Sequence, residues 1–119
     1  MSLALGPIET EQLRDLRARL NRVPKGAQGD KSVGPLSKGF FVLCGRVGLA
    51  PQSGGAPAAT LADLRTAIAE ADLIRLKQIV AQLEALRSAD AKIWRQLFDA
   101  GVLAAVITRR LVLGGREQP

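Results

Sequence analysis

The chain has 119 residues, enough for one domain with a modest core. It carries 47% hydrophobic residues, only 3% aromatics, and a net charge of +6. That hydrophobic share is too high for a disordered chain, and the scarcity of aromatics leaves Leu, Ile, Val and Ala to build the core, which suits helix–helix packing. No apolar run approaches the roughly 18 residues of a membrane span, so no membrane partner is expected.

The first expected element runs from about Pro7 or Thr10 to Arg22. Leu13, Leu16, Leu20 and Val23 form one apolar stripe, acids lie near its start and Arg19 and Arg22 near its end, and Pro24 and Gly26 stop it. Residues 24–34 are rich in Gly and polar side chains and read as loop. Within them Gly26-Ala27-Gln28-Gly29-Asp30-Lys31-Ser32 resembles a phosphate-binding loop, but the Gly spacing is short, Asp30 precedes the Lys, and no strand leads in. Residues 36–47 fit either a buried strand or a short helix. Leu36, Phe40, Leu43 and Val47 have helical spacing, Pro35 suits a first helical position, and a lone strand would lack a partner, so the helix is preferred.

Residues 50–59, with two Pro, two Gly and no charge, read as a linker or an ordered loop between residues 1–49 and a helical half over 60–119, with one compact domain overall. Thr60 is placed to cap the next helix, in which Leu61, Leu64 and Ile68 form an apolar stripe. Asp72 would fall inside the buried stripe of one continuous helix over 61–86, which implies a bend or a new cap there. Ser88 or Asp90 can cap a helix carrying Ile93, Trp94, Leu97 and Phe98 on one face, with Trp94 and Phe98 read as core. At Gly101 the apolar phase changes, as at a left-handed helix end, and Arg109 and Arg110 fall in a last turn. The segment Gln96 to Leu103 resembles the turn inside one armadillo repeat, and Leu64 to Val80 resembles the paired helices of an ankyrin repeat without its turn motif. Both likenesses imply packed helical hairpins. The fold class expected is therefore all-α, a small helical bundle or stacked hairpins with a basic, Gly/Pro-rich N-terminal loop region.

For chemistry the composition is mostly exclusive. There is no His and no Tyr, and the one cysteine, Cys44, sits in an apolar run that favours an inert thiol. Asp63, Glu70 and Asp72 are near one another but are explained by caps and solvent. No enzyme, no metal, no cofactor and no small-molecule substrate are expected. A lone cysteine suits a reducing compartment, cytoplasmic or nucleoid-like, and an organelle transit peptide is disfavoured by Glu9, Glu11 and Asp15 beside the N-terminal arginines.

The charge is the remaining signal. Residues 1–13 carry two acids and no base; from Arg14 to Arg46 eight bases meet only Asp15 and Asp30; from Thr60 onward nine bases meet seven acids. The surplus is concentrated in one stretch, which points to a non-catalytic protein that binds RNA or duplex nucleic acid by phosphate contacts, through Arg14, Arg17, Arg22, Lys25, Lys31, Lys38 and Arg46. The alternative is a structural or assembly role, as a homo-oligomer or a helical adaptor in a larger complex.

Overall fold

The computed structural model describes residues 5–23, 33–54 and 60–114. Of these, 81% are helical, in six helices and no strand. They are α1 (Pro7–Arg22), α2 (Val33–Arg46), α3 (Leu61–Glu70), α4 (Leu73–Ala89), α5 (Ala91–Asp99) and α6 (Val102–Leu113). The glycine-rich loop 26–32 lies outside the described residues.

The helix boundaries follow local chemistry. Thr60 Oγ1 accepts from the Asp63 amide at 3.1 Å, and Asp72 Oδ1 from the Arg75 amide at 2.7 Å. Asp90 Oδ1 accepts from the amides of Lys92 and Ile93 at 2.9 and 3.2 Å. Each satisfies amides that the first helical turn leaves without a partner. Asp72 therefore starts a new helix and stays exposed, while Ala71 and Leu73 on either side of it are buried. Gly101, at φ 79°, takes the left-handed conformation between α5 and α6 that a side chain would resist.

The ambiguous segment is helical, and α2 begins two residues before Pro35. A proline in the first turn lacks only an amide that has no intrahelical acceptor there. Its end is a Schellman turn. Gly48 has φ 82°, the Leu49 amide donates to the Cys44 carbonyl at 2.7 Å, and Leu49 is buried beneath. Residues 50–54 are tied to the helical half, since the Gln52 amide donates to the Lys77 carbonyl at 3.2 Å.

One apolar cluster takes side chains from all six helices. Phe40, Leu76, Ile79, Val80, Leu83, Val102, Val106 and Leu111 have essentially no exposed surface. Trp94 and Phe98 belong to it, whereas Leu61 and Ile93, placed on the apolar stripes by spacing, are 40% exposed. α6 lies against α1, α3, α4 and α5. Phe41 stacks on Trp94, with ring centroids 5.6 Å apart, and meets Phe40 edge-on at 5.2 Å.

A buried polar relay joins α2 to α5. Trp94 Nε1 donates to Ser37 Oγ at 3.0 Å, and the Ser37 hydroxyl donates to the Val33 carbonyl at 2.6 Å. The indole can be buried only because this hydroxyl receives its N–H. Cys44 is also buried on α2, and burial pushes its thiol up to about 12.

Two outcomes are expected. Ser37→Ala strands the indole N–H and lowers unfolding free energy by ~1–3 kcal/mol in urea titration, and the loss shrinks in a Trp94→Phe background, where no N–H remains to strand. Cys44 resists a thiol reagent in the native protein and reacts fully in guanidinium chloride. Its thiol ionises from about 9.0 when unfolded but only near 12 when folded. The unfolded chain therefore binds fewer protons above that lower value, stability falls as pH rises across the window, and Cys44→Ala removes that part of the slope.

Candidate nucleic-acid interface

α1 turns Leu13 and Leu16 inward, and what remains on its outer side is largely charged. Arg14, Asp15, Arg19 and Arg22 are exposed, and Arg19 pairs with Asp15 at 3.1 Å one turn away. α2 turns Ser37, Phe40, Leu43 and Cys44 inward and leaves Lys38, Val42 and Arg46 outward. α2 contains no acidic residue.

The seven cations named from the sequence divide three ways. Arg14, Arg22, Lys38 and Arg46 are exposed. Lys25 and Lys31 lie outside the described residues. Arg17 is half-buried: its Nη1 donates to Thr108 Oγ1 on α6 at 3.1 Å, so one of the nominated phosphate ligands stitches two helices together. Arg14 and Arg22 are eight residues apart on α1, as are Lys38 and Arg46 on α2. At 1.5 Å per residue each pair spans about 12 Å and keeps to one side of its helix. α1 and α2 pack against each other, so the two pairs belong to one helical unit.

Two basic residues at the other end of the chain behave differently. Arg110 is 2% exposed, and its Nε donates to the Val47 carbonyl at the end of α2 at 2.8 Å. Burial lowers its pKa without changing the charge of so strong a base. Arg109 Nε donates at 2.8 Å to the carbonyl of Ala71, the residue that ends α3. A sequence signal for this existed. Two adjacent arginines inside the apolar helix Val102-Leu103-Ala104-Ala105-Val106-Ile107-Thr108-Arg109-Arg110-Leu111-Val112-Leu113 cannot both face away from the core.

Among the described residues no cluster of His, Cys, Asp or Glu could hold a metal ion; Asp63 is an exposed first-turn residue of α3 and Asp72 the exposed N-cap of α4. Among the described residues no helix is long and apolar enough to cross a membrane. No protein-family model, curated protein or solved structure matches the chain.

Arg17→Ala is expected to cost ~1 kcal/mol of stability by removing the link to Thr108, whereas Arg22→Ala and Lys38→Ala stay within about 0.5 kcal/mol. Urea titrations of the three variants measure the difference.

Proposed function

We propose that the protein binds the phosphate backbone of RNA or duplex nucleic acid without reading its sequence, through Arg14, Arg22, Lys38 and Arg46 on the α1–α2 pair. The observation that carries this reading is that four cations in the basic stretch are exposed on two mutually packed helices, one of which has no acid at all. Lys25 and Lys31 lie in the sequence between those helices, outside the described residues. Such an array displaces condensed counterions from a polyanion, and rigid helices hold the cations at fixed spacing.

Base stacking is not part of the proposal. Phe40 and Trp94 are buried, and Phe41 is half-buried, stacked on Trp94 with the Arg87 guanidinium 5.5 Å above its ring centroid. A single-strand reader needs exposed rings between its cations. Among the described residues the large exposed apolar side chains are Ile8, Val42, Leu61, Ile74 and Ile93, one on each of five helices, so the assembly reading gains no contiguous patch from any one of these helices.

Filter-binding titrations across salt concentration test the proposal. Affinity for a random duplex is expected to fall linearly with log salt, and Lys38→Ala combined with Arg46→Ala to flatten the slope by roughly 0.9 for each lost phosphate contact, with equal effects on unrelated sequences. Absence of binding at about 50 mM salt, or a salt response that these substitutions leave unchanged, overturns it.

A further inference from the structure

A second feature lies away from the α1–α2 cations. Between α3 and α6 the surface opens into a groove of about 420 Å³. Its floor is apolar, made by Ile68, Ala69, Ala105 and Val112. The two alanines create the space: each methyl stands where a larger side chain would close the gap between the helices. Arg65 and Arg109 border it, and Thr108 lines it with the hydroxyl that Arg17 reaches from α1. No acidic residue lines it among the described residues.

The two bordering guanidiniums are underused. Arg65 is exposed and has neither hydrogen bond nor ion pair among the described residues. Arg109 makes one bond, from Nε to the Ala71 carbonyl, which occupies one of its five N–H donors. An apolar trough bordered by forked cations is complementary to a molecule with one anionic end and one aliphatic end. The size indicates a small ligand: seven residues line the groove, whereas a stable protein interface takes about 20–30 a side.

We propose that this groove binds a free, single-chain aliphatic anion, in its simplest form an unbranched carboxylate, with the head group held by Arg65 and Arg109 and the tail lying over Ala69 and Ala105. The site uses none of the cations assigned to nucleic acid, so it stands or falls independently of that reading.

The test uses the full chain and hexanoate, octanoate and decanoate, followed by amide chemical shifts and calorimetry. Affinity should rise about fourfold per added methylene until the trough is filled, with shifts centred on α3 and the middle of α6. Decanol, with the same tail and no charge, should bind more weakly than decanoate. Arg65→Gln should weaken decanoate about tenfold and leave decanol unchanged. Because Arg65 is exposed and has no hydrogen bond or ion pair among the described residues, this variant should keep the parent's melting temperature. Ala105→Leu should abolish binding of both. Lys38→Ala with Arg46→Ala should leave decanoate affinity untouched. Affinity that does not depend on chain length, decanoate binding that survives Ala105→Leu, or shifts confined to other helices would each overturn the proposal. So would a groove that takes an acidic amphipathic peptide while ignoring decanoate.

Discussion

Three consecutive residues near the end of α6 hold three other helices. Thr108 accepts from Arg17 of α1, Arg109 donates to the carbonyl that ends α3, and Arg110 donates to the carbonyl that follows α2. Successive residues on a helix point about 100° apart, so one short segment can address three neighbours packed around it. The two arginine contacts share a physical basis. A helix leaves its last carbonyls without intrahelical partners and carries partial negative charge at that end, and a guanidinium answers both at once. Arg110 does this from a fully buried position. The cost of removing that charge from water is offset only because its hydrogen bonds are made, so the placement of α2 and the burial of Arg110 depend on each other.

Much of the helix punctuation was legible because capping is local. Thr60, Asp72 and Asp90 accept from amides two or three residues ahead, and Gly101 supplies a backbone conformation at its own position. Nothing distant is needed to foresee them. The segment 36–47 was harder because its glycines weaken a helix and its run of Phe, Val and Leu also suits a strand. What decides it is nonlocal: Ser37 meets Trp94 fifty-seven positions away, and Arg110 meets the turn at Val47 sixty-three positions away. Leu61 and Ile93 illustrate the opposite limit. Both fit an apolar stripe, yet each sits where no neighbouring helix covers it fully.

The candidate site was legible in the same graded way. A charge imbalance can be counted from the sequence, but its division between surface and seam cannot. Arg17 flanks the buried positions Leu13 and Leu16 on α1, and the acceptor its guanidinium meets, Thr108, lies across the boundary on α6. The floor of the α3–α6 groove was invisible for a related reason. Ala69 and Ala105 are ordinary helix formers in sequence, and they make a trough only because the two helices are brought side by side.

These placements give the arginines of one basic chain two different tasks. Those on α6 face helix ends and are constrained by them, while Arg22 on α1 and Lys38 and Arg46 on α2 stay outward. The two sets are coupled through α1 and α2. The same α1 that presents Arg14 and Arg22 is fixed to α6 by Arg17, and the same α2 that presents Lys38 and Arg46 is fixed to α6 by Arg110 at its end. The proposed phosphate contacts would therefore be made by side chains whose backbones are already held. Binding would then order a few long side chains, at about 0.5–1.5 kcal/mol each, and would not have to order the segments that carry them. A basic patch borne on a mobile tail has no such advantage, and it would need no buried guanidinium at the far end of the chain to hold its helices in place.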